Sequence, residues 1–444
     1  MPHFCSGAVT VALRPHDLIR RLHKPQHDHS HSNGLGCQMK FLPNRKRSQQ
    51  TRCKDAVERL ADDLEELAVS NEIFNPEFSM GDGVHTTEHT PPKGRSISEQ
   101  EQKHMHKLSE DVHKQLNTIL TVIQDLSGDS SEQRVYRDGA HDADAIKPLE
   151  VLIDQDLPVQ LLAQLSTLEF EARKDVMNVC CALLRSGMPQ QVDRRAVQYL
   201  RHHPTVFRLL VDGYEHEDTA LHYGVVLRSC ARHSELVEAF LSSGLMPALL
   251  QYTQHQSLDI SSDAFFTLKE MLLSHKEVSA PWLETHCTEF FTAYNQLLIS
   301  GDYLAQRQAQ KLLNGIVLDR HFQKVMVRYV GSERNLQLHM NLLLDRSRAI
   351  QIDAFHVFKV FVANPQKPLR VQQILHRNKS RLVGLLESMQ SIKPDDQKIA
   401  DDLANTIDKL SRVVAPVSPT LTSKVQPEGA VPPSVPRHTT KLSL

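Results

Sequence analysis

The stretch IQIDAFHVFKVFVANP (350–365) supports two readings that lead to different folds. Its second half, VFKVFVA, is crowded with β-branched and aromatic residues, the composition of a buried strand. Yet Ile350, Ala354, Phe358 and Val362 fall four apart, as residues on one helical face do. A short apolar run does not decide between strand and helix, so the surrounding sequence arbitrates.

Two other stretches align with it. LDISSDAFFTLKEMLLSH (258–275), YLAQRQAQKLLNGIVLDR (303–320) and RAIQIDAFHVFKVFVANP (348–365) start 45 residues apart. Equivalent positions stack as Ile260/Ala305/Ile350, Ala264/Ala309/Ala354, Leu268/Leu313/Phe358 and Leu272/Val317/Val362. Each set recurs at i, i+4, i+8 and i+12, a helical stripe three times over. ARKDVMNVCCALLRS (172–186) and ALHYGVVLRSCARH (220–233) share the texture at looser spacing. A period of about 40–47 residues with several helices per unit is that of HEAT or armadillo repeats. VFKVFVA is therefore predicted to be the second half of a repeat helix, its β-like composition overridden by stacking. The predicted fold is an all-α, armadillo/HEAT-like solenoid, in which stacked units bury one another's stripes and leave one extended groove.

Composition agrees. Gly is scarce, 17 in 444 residues, while Leu and Gln are plentiful, which favours helices over turn-rich β structure. A net charge of −2 excludes a polyelectrolyte. No window approaches the roughly 18–20 apolar residues of a membrane span. The start, MPHFCSGAVTVALRPH, lacks the charged n-region and long apolar core of a secretory signal. Seven cysteines without CxxC spacing suit a reducing compartment better than a disulfide framework. The expectation is a soluble cytoplasmic protein with no cofactor.

Along the chain, residues 1–52 form a basic, His-containing segment in which only RPHDLIRRLHKP (14–25) looks able to form a short helix. Helical patterns at 53–70 and 101–126 fill a section 53–146, with a Pro/Gly/Ser/Thr linker at 75–97 and a polar loop near SGDSSEQRVYRDGAHD (127–142). The repeat domain is expected over 147–413, and a Pro/Ser/Thr-rich tail, read as disordered, over 414–444.

Tyr303, Arg307 and Lys311 lie two residues out of step with the stripe, about 200° around the helix, and are expected to point away from the core. The equivalent ridges are Leu258, Ser262, Phe266 and Arg348, Ile352, His356. An aromatic, cations and scattered apolar residues on one ridge read as an interface, or as an ordinary solvated or helix-covered face. From Tyr303 to Arg381, fourteen Lys/Arg stand against Asp319, Glu333, Asp345 and Asp353, a local balance of +10. Such a stripe fits an acidic protein or nucleic acid. Aromatics at buried-looking positions such as Phe358 and Phe361 favour protein over stacked bases.

Other motifs carry less. His27, His29 and His31 in HDHSHS lack the carboxylate support and fixed geometry of a metal site. Cys180–Cys181 lies on an apolar helix and reads as buried structural thiols. LDRH (318–321) falls at a helix end, where cations complement the dipole. No phosphate loop, HExxH, CxxC pair or EF-hand loop is present, and nothing nominates a catalytic residue.

At SDAFFTLKEML, QKLLNGIVLDRH, MNLLLDRSRAIQ and DAFHVFKVFVANP the sequence resembles the Mo-twenty-five scaffold family, also called calcium-binding protein 39. The likeness covers about 147–390; residues 26–96 show no counterpart, and no calcium loop is present. The resemblance implies an armadillo-like helical horseshoe that binds Ste-twenty-like kinases and pseudokinases and holds them active without catalysing anything itself. It places a kinase-facing groove at Leu258, Tyr303, Arg307, Lys311 and Arg320. It also implies a pocket for a partner's C-terminal Trp-Glu-Phe, matched here by Met340 and by Arg377, where a Lys is usual. Two departures stand out: Phe322 falls one place early, leaving Gln323 at the family's phenylalanine, and Leu258 replaces a common aromatic. The expected function is a non-catalytic kinase-activating scaffold in polarity and morphogenesis signalling, with no membrane or nucleic-acid partner. The alternative is a generic helical-repeat adaptor for nucleic acid or transport cargo.

Overall fold

The computed structural model describes residues 43–74, 99–126, 139–185, 189–390 and 396–415. The expected helix at 14–25, the HDHSHS tract, the 75–97 linker and the tail from 416 lie outside the described residues. The chain divides into two compact units, Met1–Ser48 and Gln49–Leu444, and the architecture below is that of the second.

All regular structure among the described residues is helical, and its helices fall into rows. After α1 (Pro43–Phe74), a first row comprises α2 (Glu99–Leu126), α5 (Phe170–Leu183), α8 (Glu217–Cys230), α11 (Leu258–Leu273), α14 (Tyr303–Val317), α17 (Arg348–Ala363) and α20 (Gln397–Ser411). Each helix of this row packs on the next. A second row, also packed in sequence, comprises α3 (Gly139–Asp154), α6 (Gln190–His202), α9 (Ser234–Ser242), α12 (Lys276–Thr285) and α15 (Gln323–Val330). The others are α4 (Leu157–Ala163), α7 (Thr205–Asp212), α10 (Met246–Tyr252), α13 (Cys287–Ser300), α16 (Glu333–Leu342), α18 (Leu369–Arg377) and α19 (Lys379–Met389). Of these, α4, α7, α10, α13, α16 and α19 each lie against the first-row helix that follows in sequence. The repeat is therefore a three-helix unit whose last member belongs to the first row.

The stripe explains the stacking. All twelve positions aligned from the sequence are buried, none above 9% exposed. VFKVFVA is helical throughout, inside α17. Ser347 caps that helix by accepting the Ile350 N–H, and Asn364-Pro365 ends it. Phe355, Phe358 and Phe361 are fully buried where α17 meets α14, α16 and α20. Asp302 caps α14 in the same manner, accepting the Ala305 N–H at 2.7 Å. Tyr294 of α13 donates to the Ala309 carbonyl of α14 at 2.7 Å, tying third helix to second within one unit.

Three sequence expectations need correction. The helix read from 53 begins at Pro43, and α3 begins at Gly139, inside the stretch read as a polar loop. The core shows no break at 146/147: one apolar cluster runs from Cys53 to Val413. The reason is that α2 belongs to the first row. It buries Val112, Leu116 and Ile119 and packs on α5, with His113 2.6 Å from the Asp175 carboxylate and Ser109 accepting the Glu169 N–H at 2.9 Å. Cys180 is buried as expected, Cys181 only half-buried; burial pushes the Cys180 thiol up. No helix among the described residues is long and apolar enough to cross a membrane.

Candidate partner-binding surface

The first row carries the candidate groove residues. Leu258 and Tyr303 are the opening residues of the adjacent helices α11 and α14, 58% and 56% exposed. Ser257 and Asp302 hold the preceding N-cap positions; Asp302 accepts the Ala305 N–H, whereas the Ser257 side chain makes no cap bond. Lys311 is exposed and makes no ion pair among the described residues. Arg320 is exposed at the start of a 3-10 turn, Arg320–Phe322. That turn is fixed by Asp319, which accepts the His321 N–H at 2.9 Å and pairs with Lys276 of α12 at 2.5 Å. The Lys276 ammonium, then the His321 donors, hold the Asp319 carboxyl well below the usual carboxylate range.

Arg307 departs from the expectation. It is half-buried rather than outward, with a side chain 29% exposed and Nη1 3.5 Å from Asp353 Oδ2 of α17. Ile352, placed on the equivalent ridge, is buried, and His356 half-buried, because α20 covers that flank of α17. Lys359 confirms the cover, pairing with Asp402 of α20 at 2.5 Å.

Much of the positive charge of this region is exposed and unpaired among the described residues. Each of its four carboxylates is engaged: Asp319 with Lys276, Glu333 with Arg370, Asp353 with Arg307, and Asp345 by accepting the Ser347 N–H at 2.7 Å. Lys311, Arg320, Arg334, Arg346, Arg348, Arg377 and Arg381 are exposed without an ion pair among the described residues.

The row extends beyond the residues named from the sequence. Phe170 opens α5 as Leu258 opens α11, and is 64% exposed; Leu221 of α8 is 43% exposed. The looser spacing of those repeats hid this equivalence. Phe266 is half-exposed with the Arg228 guanidinium 4.9 Å and the Lys269 ammonium 5.6 Å from its ring centre. It lines a cleft of about 500 Å³ with Arg228, Arg232, Glu270 and His275. Arg228 could not be singled out in the sequence, because its neighbours Asp263 and Thr267 come from the following repeat.

Met340 and Arg377 fall on α16 and α18, which pack together. Met340 is half-buried against the core, beside the fully buried His339; Arg377 is exposed in the last turn of α18.

A family model described as Mo25-like matches residues 45–413, the span of the continuous core. The chain belongs to the Mo25-like family. The match corrects the reading that 26–96 has no counterpart, from residue 45 onward: all but the first two residues of α1 lie within the family span, and its Val57, Leu60 and Leu64 belong to the continuous core. An Mo25-like protein of Schizosaccharomyces pombe is 41% identical over 273 residues, covering 61% of this chain and 82% of that protein. The calcium-binding protein 39-like protein of Homo sapiens is 36% identical over 310 residues, covering 69% and 88%. The conidiophore development protein hymA of Emericella nidulans is 30% identical over 323 residues, covering 67% and 82%. Among the described residues of this Mo25-like chain, no three His, Cys, Asp or Glu side chains cluster as metal ligands.

Proposed function

We propose that this Mo25-like protein is a non-catalytic cytoplasmic scaffold that binds and activates a Ste-twenty-type (germinal-centre) kinase, or a pseudokinase–kinase pair, through its first row. One observation carries the reading: the four carboxylates between Tyr303 and Arg381 are engaged within the fold, while seven cations of the same stretch are exposed without an ion pair among the described residues, Lys311 among them on the helix that exposed Tyr303 opens. An apolar strip bordered by unpaired cations favours an acidic protein surface and speeds its encounter. Leu258, Tyr303, Lys311 and Arg320 make the contacts, with Arg307 beneath them, and Met340 with Arg377 receives a partner C-terminus of the Trp-Glu-Phe kind. A role in polarity and morphogenesis belongs to the same proposal, and its morphogenetic part fits the name of the conidiophore development protein of Emericella nidulans.

Nucleic acid would use the same cations and stack bases on exposed rings, which this row also offers at Phe170, Phe266 and Tyr303, so the two partner classes are separated by experiment. The test is to measure binding to a recombinant Ste-twenty-type kinase domain and to single-stranded RNA at physiological salt, together with kinase activity. Saturable kinase binding with raised activity supports the scaffold. RNA binding alone would replace it with the adaptor reading.

A further inference from the structure

Arg307 and Asp353 face each other across the seam between α14 and α17 without a hydrogen bond. Nη1 and Oδ2 stand 3.5 Å apart, both buried, and neither has a hydrogen-bond partner among the described residues. A well-made arginine–carboxylate pair closes to about 2.7–2.9 Å and is often bidentate. Here the charges neutralise each other while the directional bonds stay unmade. The seam is held by other means. Asn314 Nδ2 donates to the Asp353 carbonyl at 3.2 Å, and Ala309, Leu313, Ala354 and Phe358 pack fully buried on the two helices. The Asp353 carboxylate is thus free to act on Arg307 rather than to join the helices.

Exposed residues flank Arg307 along α14. Tyr303, one turn earlier, is 56% exposed, and Lys311, one turn later, is exposed and unpaired among the described residues. With its own side chain 29% exposed, Arg307 both lies at the seam and reaches the surface between Tyr303 and Lys311. We propose that Asp353 is a resident counter-ion, and that Arg307 passes from it to a carboxylate of the bound protein partner. An Asp or Glu side chain is the group that fits: it supplies two acceptor oxygens to the guanidinium fork, with Lys311 as second cation. A neutral partner residue leaves Arg307 where it is and gains nothing. Asp353 therefore sets a threshold that only acidic segments pass, and its removal strengthens binding of acidic partners while relaxing the choice among them. This rests on the first row being the partner-binding face and names the chemistry recognised there.

Three measurements test it on the full chain. First, Arg307 in the free protein is labelled with phenylglyoxal and its rate followed by peptide mass spectrometry, in wild type and Asp353→Asn. Labelling several-fold faster in the variant is expected; an unchanged rate overturns the proposal. Second, poly-L-glutamate is added as a carboxylate probe. Protection of Arg307 at several-fold lower concentration in Asp353→Asn is expected, and equal or weaker protection than in wild type overturns the exchange. If Asp353→Asn melts early, Asp353→Ser takes its place. Third, kinase-domain affinity is compared: tighter binding by Asp353→Asn supports the exchange. No kinase binding by any variant, with the labelling difference intact, removes the scaffold reading but not the resident counter-ion.

Discussion

A Cβ on Gly224 would stand 1.9 Å from Asp263 Oδ2, so α8 and α11 approach as closely as they do only because this residue is glycine. The same carboxylate oxygen accepts from Arg228 Nη1 at 2.6 Å and from the Tyr214 hydroxyl at 2.7 Å, while Thr267 Oγ1 lies 2.8 Å from both donors. Arg228 and Asp263 are 14% and 13% exposed, so this network joins two repeats largely out of water.

The sign of a Gly224→Ala effect separates propensity from packing. Inside an exposed helix, Gly→Ala stabilises by about 0.5–1 kcal/mol. At Gly224 the methyl displaces a charge-bearing hydrogen-bond network, and overpacking costs about 1–3 kcal/mol. Gly224→Ala should lower the melting temperature, whereas Gly384→Ala in α19, where a Cβ meets nothing within 4 Å, should raise it. Thermal denaturation of the two variants checks both signs; a more stable Gly224→Ala protein would break the account.

His339 makes stability depend on pH. It is fully buried in α16, Nε2 3.0 Å from the Tyr329 hydroxyl, and burial pushes its imidazole down to about 3. No carboxylate pairs with it among the described residues. Its folded value lies below the ordinary 6.5, so the unfolded chain binds the proton more readily. The neutral ring's contribution is complete above pH 6.5 and falls away as pH drops through that value toward 3. Between pH 7.5 and 5 the loss is about 2 kcal/mol, from the unfolded ring's gain of a proton. Denaturant melts at the two pH values should show it, with a clearly smaller difference in His339→Gln.

How much of this was legible follows from what periodicity encodes. The stripe Ala264/Ala309/Ala354 and its neighbours are spaced by the helix itself, so twelve buried positions could be named from spacing alone. The same spacing gives an angle around the axis but not which neighbour covers that angle. By angle Arg307 and Ile352 point outward, yet both are covered from the following repeat, by Asp353's helix and by α20. Tyr303 and Leu258 escaped this error because the first-row helices each open on an exposed residue, unlike α4, α10 and α13, whose first residues are buried. The span of the core was underestimated because α1 and α2 precede the regular period, although their apolar stripes continue it.

Lys311 and Arg307, one turn apart, should therefore respond differently to charge reversal. Lys311→Glu changes an exposed, unpaired residue and should move stability by no more than about 0.5 kcal/mol. Kinase binding should fall about tenfold, since like charge then faces an acidic partner. Arg307→Glu sets a second carboxylate against the half-buried Asp353 and should also destabilise, by about 1–3 kcal/mol. Melting and kinase affinity measured side by side check the split. Unchanged affinity for Lys311→Glu would return the ridge to an ordinary solvated face.

Met340 and Arg377 test the second binding mode. A thioether half-buried on α16 can mould around an aromatic ring while its stem stays anchored in the core. Arg377 is exposed on the neighbouring α18, where its fork is free to meet a glutamate or a terminal carboxylate. Its place in the last turn also complements the helix dipole, an effect worth only about 0.3–1 kcal/mol at an exposed site. Hydrogen bonds to charged groups contribute about 1.5–3 kcal/mol, so Arg377→Ala should weaken a peptide ending in Trp-Glu-Phe by roughly ten- to a hundredfold. Met340→Ala should weaken it too, with some loss of melting temperature because the methionine also packs against the core. Arg377→Lys should recover part of the affinity, since an ammonium keeps the charge but not the fork. Calorimetric titration of the peptide against wild type and the three variants, each first shown to be folded, reads these differences. Equal affinities throughout would move the peptide site elsewhere on the molecule, and an Arg377→Ala protein that only melts earlier would leave Arg377 as a helix-end charge.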